Sequence, residues 1–533
     1  MDATEEASPI GTMGKAETTT TSTQVPWAYL RKGEWTILAE ADCAALEASK
    51  DYAPVVVDNG RLEVSVPDRT LRALYWDEPP CPVVRSDWIF EATNGKYLPL
   101  PEAEAMEINN LWATLPTSET HTFSLSVVDH MGGVATKTGS TKAIAATKLN
   151  ELFAKCSPTG QFRCKALHHG FHAWPRLRSH VEHLVFVVHG IGETYCKKRL
   201  AHGTIIDQSL VLRQSSESLL SSHFPASDNR SVEYLPVDWS DVLGDMGDDV
   251  HALLNRIALD SMPFVRQLTN ELLSDILLYM ARQASVLSFV TKYMNARYTL
   301  YKQNHPEFSG HVSIMGHSLG SIITYDLLAK QGESCDPDFA LAFSPHAFFA
   351  FGSPIGLFLT LRGNVHGMDL ALPTCERMYN VFHPADPVAY RLEPLIHKDA
   401  AIAAPVRINT ASGWRRIHHV VQDMADSFES SQKKFAQTME QTFKAFLPKD
   451  ASPAIEPSAA VDATADANAL QKAVLARLNP KTLRLDYVLP ESEIEALTPL
   501  AALTAHTGYW STTEFVLFLL TQLLGDPVDA SQQ

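Results

Sequence analysis

The stretch Val312-Ser-Ile-Met-Gly-His-Ser-Leu-Gly-Ser-Ile-Ile-Thr-Tyr-Asp-Leu-Leu328 decides the fold. Its centre, Gly316-His317-Ser318-Leu319-Gly320, is a G-x-S-x-G motif between an apolar strand-like run and a helical segment starting near Ser321. A serine on a sharp strand-to-helix turn is a nucleophile elbow. The turn strains the backbone at Ser318 and leaves no room for side chains two residues away on either side, so glycine stands at 316 and 320. It also lifts the hydroxyl clear of the sheet, with a helix N-terminus behind it that favours developing negative charge. The bland alternative is an ordinary strand–turn–helix with a chance serine, and the flanking pattern argues against it.

Working outward, His183-Leu-Val-Phe-Val-Val188 is a continuous apolar run ending in His189-Gly190-Ile191-Gly192. Such a run reads as a strand buried on both faces of a parallel sheet. Further strands are predicted at Val232–Trp239, Ala347–Phe351 and Met378–Phe382, and helical spacing of apolar residues runs from about 248 to 303. Alternation of this kind implies an α/β-hydrolase-like, mostly parallel sheet with helices on both faces. Upstream, alternation such as Leu62-Glu-Val-Ser-Val66 and a strand over Phe123–Val128 predict a small β-rich module. The expected organisation is a disordered tail at 1–25, the β-rich module and its connecting segment at 26–180, and the α/β core at 181–447. A Pro/Ala/Ser/Asp-rich linker or loop at 448–468, a C-terminal part at 469–525 and a tail at 526–533 complete it.

Composition narrows the function. A formal net charge of −17 opposes binding to nucleic acid or to an anionic surface without a local patch. The N-terminus lacks the basic and apolar blocks of a signal peptide, and no stretch approaches the ~20 apolar residues of a bilayer span. Seven scattered cysteines fit a reducing compartment. Cys156 and Cys164 with His168, His169 and His172 lie too far apart for a zinc knuckle and read as a polar loop or short helix; no metal and no cofactor are expected. Residues 416–447 predict a long helix with Val421, Met424, Phe428, Phe435, Met439, Phe443 and Phe446 near one face among Lys433, Lys434 and Lys444. That face is either core or a peripheral membrane contact.

The chemistry follows from the elbow. An activated serine needs a base, and the base needs an acid to orient it. In this fold the order along the chain is Ser, acid, His. Asp386 follows the strand Met378–Phe382, and His506 lies in Thr504-Ala-His-Thr-Gly-Tyr-Trp510. Asp486 competes as the acid, and His383 and His397 compete as bases. An oxyanion hole needs two backbone N–H groups; Leu319 would supply one and the loop at Gly190 and Ile191 the other.

These residues resemble the DDHD-domain intracellular phospholipases of the phosphatidic-acid-preferring, A1-type group. The resemblance rests on Leu184–Glu193, Gly310–Leu328, Ala350–Phe358, Val381–Pro394, Arg484–Pro490 and His506–Trp510, in order. It implies hydrolysis of the sn-1 ester of glycerophospholipids such as phosphatidic acid, without cofactor, by a cytosolic protein at the surface of ER- or Golgi-type membranes. The family's Asp-Asp-His-Asp set maps to Asp386, Asp486, His506 and a fourth acid, where this chain carries Glu514. A neutral-glyceride lipase or general carboxylesterase would use the same residues. A non-catalytic lipid-binding or trafficking scaffold is the alternative of another class. Oligomeric state is not legible in the sequence.

Overall fold

A computed structural model describes residues 24–49, 53–92 and 97–100, short pieces between 102 and 178, then 180–190, 193, 203–224, 229–243, 253, 256–257, 263–363, 370, 372–396, 404–408, 465–490 and 505–525. Two compact units divide at Leu177 and Arg178.

The first unit is β-rich. Strands at Glu34–Ile37, Trp27–Arg31, Cys81–Arg85, Thr70–Ala73, Leu62–Ser65 and Val55–Val57 lie side by side in that order, all antiparallel. Leu62–Ser65 buries alternate residues, as its sequence alternation requires. The hairpin Arg31↔Glu34 turns through Lys32 (φ 48°) and Gly33 (φ 83°), two left-handed residues that match strand twist in a two-residue loop. A second antiparallel sheet joins Glu151–Leu152, Cys164–His169, Trp88–Ala92 and Tyr97–Pro99. Cys164–His169 is therefore a strand, which corrects the loop-or-helix reading of that segment. Beside its short pairing with Glu151–Leu152, it pairs with Trp88–Ala92 more than seventy residues earlier, which local composition does not encode.

The second unit carries the elbow. Its strands are β1 (His180–Val188), β2 (Arg230–Val237), β3 (His311–His317), β4 (Ala347–Phe351), β5 (Met378–Phe382), β6 (Val406–Arg407) and β7 (Asp486–Val488). They form one sheet in the order β2-β1-β3-β4-β5-β7-β6, parallel throughout. Helices α1 (Ile205–His223), α2 (Pro263–Asn304), α3 (Leu319–Ala329), α4 (Ile355–Leu361), α5 (Glu393–Ile396), α6 (Ala465–Leu478) and α7 (Thr513–Leu524) occur along the unit. This is the α/β-hydrolase-like architecture expected from the elbow.

The core is why it forms. Residues 184–188 of β1 are wholly buried, as are all of β4 and β5, and a parallel sheet covered on both faces favours such largely apolar strands. Every residue of α3 from Leu319 to Leu328 is buried. On the other side, Phe515, Val516, Leu519 and Leu520 of α7 pack with Phe351, Tyr379 and Tyr487 of the sheet. Each such side chain contributes roughly 1.5–3 kcal/mol when fully buried.

Two sequence expectations shift here. α6 begins at Ala465, so the last residues of the expected linker at 448–468 are helical. β7 inserts between β5 and β6, which puts the C-terminal segment inside the same sheet. The helix expected at 416–447 lies outside the described residues. Among the described residues, no helix is long and apolar enough to cross a membrane.

Candidate active site

Strand order reverses between β1 and β3, and in open α/β sheets the crevice beyond the carboxyl ends of the strands at such a point is where ligands bind. Ser318 directly follows β3, at φ 51° and ψ −124°. A non-glycine residue there stores about 1–3 kcal/mol of strain, held by what surrounds it. The Ser318 N–H donates to Phe351 O at 3.2 Å. The Ser321 hydroxyl donates to Ser318 O at 2.5 Å and lies 2.7 Å from the Ser353 hydroxyl, which accepts from the Ile355 N–H. The elbow is thus tied to both α3 and the start of α4.

The glycines are required by contact. A Cβ on Gly316 would lie 2.6 Å from Ser321 Cα, and one on Gly320 2.3 Å from His189 O. A Cβ on Gly190 would lie 2.8 Å from Ser318 Cβ. Gly190 therefore sits directly against the serine, after β1. His189 shapes this loop: its Nδ1–H donates to Gly190 O at 2.8 Å, and its ring stacks on Trp239 with centroids 4.8 Å apart. Glu193 accepts from the Ile205 N–H at the start of α1. Leu319 opens α3, a position whose N–H has no partner within the helix. Ile191 lies outside the described residues.

The structure brings Ser318, His506 and Asp386 together. Ser318 Oγ lies 3.1 Å from His506 Nε2, and His506 Nδ1 lies 3.0 Å from both carboxylate oxygens of Asp386. All three are nearly or fully buried. The Tyr509 hydroxyl donates to Asp386 Oδ2 at 2.7 Å and accepts from the His383 N–H at 2.8 Å; the Val388 N–H donates to Asp386 Oδ1 at 2.9 Å. Burial pushes the Asp386 carboxyl up, but the hydrogen bond and charge of His506, with Tyr509 and Val388, outweigh it and hold the group below its ordinary range. Gly352 (φ +54°) lies behind this cluster: a Cβ there would sit 3.0 Å from Tyr509 Cε2, 3.1 Å from Asp386 Oδ2 and 3.2 Å from His506 Nδ1.

The competing candidates lie elsewhere. Asp486, fully buried on β7, accepts from Asn380 Nδ2 at 3.0 Å, Arg391 Nε at 3.1 Å and the N–H groups of Leu392 and Glu393. These partners belong to β5, the loop after it and the start of α5, so Asp486 clamps the segment that follows Asp386. His383 accepts from the Ala385 N–H and shapes the turn. His397 lies outside the described residues. Glu514 is half-buried in the first turn of α7, where a carboxylate complements the helix dipole. Among the described residues, no group of three His, Cys, Asp or Glu side chains could hold a metal ion.

Sequence reasoning missed Tyr509, Gly352, Ser353 and Glu193. Tyr509 and Gly352 stand within the blocks quoted above, but an aromatic or a glycine there reads as core or turn until its neighbours are known.

The family model of the DDHD domain matches residues 341–461 and 448–524. The chain is 25% identical to the triacylglycerol hydrolase DDHD2 of Homo sapiens over 88% of this chain and 87% of that one. It is 30% identical to the phospholipase DDHD1 of Homo sapiens over 67% of this chain and 48% of that one. With the intracellular phospholipase A1 of Caenorhabditis elegans it shares 26% identity over 66% of this chain and 49% of that one. No solved structure matches it.

Proposed function

This chain belongs to the DDHD-domain family, and from that premise we propose that it is a lipid acyl-ester hydrolase acting through Ser318, His506 and Asp386. One observation carries the reading: the unbroken hydrogen-bonded line from Ser318 Oγ through His506 to Asp386, behind a strained elbow.

In the proposed reaction His506 Nε2 takes the Ser318 proton as Oγ attacks the ester carbonyl. Asp386 holds the Nδ1–H tautomer and stabilises the imidazolium that forms. The N–H of Leu319, with N–H groups of the Gly190–Ile191 loop, receives the oxyanion of the tetrahedral intermediate. His506 then returns its proton to the leaving glycerol oxygen, which leaves an acyl-Ser318. Water, deprotonated by the same His506, releases the fatty acid and restores the serine.

The favoured substrate is the sn-1 ester of a glycerophospholipid such as phosphatidic acid, supported by relatives named phospholipases. A neutral glyceride is the second reading, favoured by the relative named a triacylglycerol hydrolase, which the chain matches over most of its length. The proposed setting is the cytoplasmic surface of ER- or Golgi-type membranes, with peripheral contact through 416–447. Unchanged liposome flotation after deletion of that segment would dismiss the contact.

The test is release of a labelled sn-1 acyl chain from phosphatidic acid in mixed micelles, beside a triacylglycerol emulsion, with wild type and Ser318→Ala. Loss of release by several orders of magnitude in the variant supports the serine mechanism, and the ratio of the two substrates decides the class. A folded wild type that releases acid from neither supports the scaffold reading instead.

A further inference from the structure

We infer that His317, the residue just before the nucleophile, is a positioning residue that sets the reach of His506 onto Ser318 by holding the His506 backbone. This rests on the Ser318–His506 pairing proposed above.

The second position of G-x-S-x-G is free of the steric demand that fixes its glycines, so its occupant needs another explanation. Here it is a histidine at the end of β3, buried to 8% exposure. Its Nε2 lies 2.8 Å from the carbonyl oxygen of His506. A carbonyl only accepts, so Nε2 carries the proton and donates. The two imidazoles adjoin at a tilt of 33°, with centroids 4.8 Å apart. Phe351, Trp510 and Tyr509 surround the His317 ring at 5.1, 5.3 and 6.0 Å.

Two neighbouring residues therefore grip His506 at two separate points. Ser318 meets the ring at Nε2, and His317 meets the main chain of the same residue. Asp386 holds the ring at Nδ1, while the His317 contact fixes where the main chain that carries the ring stands relative to the elbow. Such control is needed here, because His506 sits on a short turn 188 residues beyond the serine, separated from α7 by the 3-10 turn Gly508–Ser511. Reacting groups displaced by about 1 Å lose roughly 10²-fold in rate.

The choice of histidine also fits the charge the base develops. Burial first, and then the neighbouring His506, push His317 down to about 3. It stays neutral across the working range, so it donates its proton without repelling the imidazolium that His506 becomes. A lysine or arginine could donate equally but would oppose that charge.

The test uses the full chain with His317→Phe, which fills the space without donating, and His317→Gln, whose amide nitrogen reaches a similar distance. Each is read by the second-order rate of Ser318 labelling with a fluorophosphonate, by kcat and KM for ester hydrolysis, and by thermal midpoint. His317→Phe is expected to lower labelling and kcat together by about tenfold to a hundredfold with KM nearly constant. His317→Gln is expected to recover most of that rate. Should the Phe variant fail to fold, His317→Met replaces it as the variant without a donor. A folded donorless variant that labels at the wild-type rate overturns the inference, as does a Gln variant no faster than Phe. Labelling needs no lipid: an enzyme that labels at Ser318 yet leaves phosphatidic acid and triacylglycerol intact overturns the proposed substrate and leaves the role of His317 standing. Labelling that persists in Ser318→Ala overturns the pairing itself.

Discussion

Gly352→Ala tests how tightly the acid and base are held. Gly352 has φ +54°, so alanine there costs about 1–2 kcal/mol in left-handed backbone alone. The added methyl would also lie 3.0 Å from Tyr509 Cε2, 3.1 Å from Asp386 Oδ2 and 3.2 Å from His506 Nδ1, each closer than ordinary contact. None of the three yields freely, since Tyr509, Asp386 and His506 are bonded to one another and to the turn at His383. Overpacking of this kind adds roughly 1–3 kcal/mol. The combined expectation is about 2–5 kcal/mol, a thermal midpoint lower by roughly 3–7 °C for a unit of this size. A shift of a few tenths of an ångström at the acid and base predicts about a tenfold fall in kcat. Gly363→Ala is the control: Gly363 has φ +84° but nothing within 4 Å of its added methyl, so it bears the backbone cost alone and keeps full activity. Melting curves and initial hydrolysis rates on the two variants decide the matter. If Gly352→Ala melts with Gly363→Ala and keeps the wild-type kcat, the crowding argument is wrong.

Asp386→Asn is expected to lower kcat by about 10⁴-fold near neutral pH, because an amide cannot hold the His506 tautomer. Asp486→Ala is expected instead to cost about 3–5 kcal/mol in denaturant unfolding, with kcat per titrated serine within a few-fold of wild type; the reverse pattern would reassign the acid. Gly190→Ala, whose methyl would meet Ser318 Cβ at 2.8 Å, should abolish fluorophosphonate labelling, and normal labelling would remove that loop from the site. His183 gives a pH prediction. Burial first, then His346, His311 and Arg377, hold it down to about 3 from 6.5, against a smaller opposing pull from the Leu523 carbonyl. The unfolded chain takes up the proton first as pH falls, so this stability is complete above about 6.5 and is lost toward pH 3, at about 1.4 kcal/mol per unit. Between pH 7 and 5 the His183 contribution falls by roughly 2 kcal/mol, and urea titrations of His183→Leu should show a correspondingly shallower pH dependence.

What could be read in advance follows what is local. The elbow announces itself because glycine, serine and glycine must stand at fixed spacing between a buried strand and a helix. β1, β4 and β5 are legible because strands buried on both faces are mostly apolar, with runs such as Leu184–Val188 and Ala347–Phe351. Choosing between Asp386 and Asp486 was harder, since both are buried acids near strand ends. Only the sheet order, with Asp486 turned onto Asn380, Arg391 and Leu392, separates them. The strand Cys164–His169 is illegible for the same reason, since most of its pairing is with the distant Trp88–Ala92. Nothing local marks Tyr509 or His317, because their hydrogen bonds cross 123 and 189 residues of chain.

The place of β7 in the sheet has a consequence for the order of assembly. β5 and β6 are made first, yet each pairs with β7 and not with the other. A growing chain that has not reached Asp486 holds the serine and its acid with two strand edges still waiting for a neighbour. The base comes later still, on the turn beyond. The protein is thus synthesised as an incomplete sheet, and His506, the base of the proposed mechanism, follows only after the late strand that completes it. Until that strand is added, the edges of β5 and β6 stand open as templates for wrong pairing.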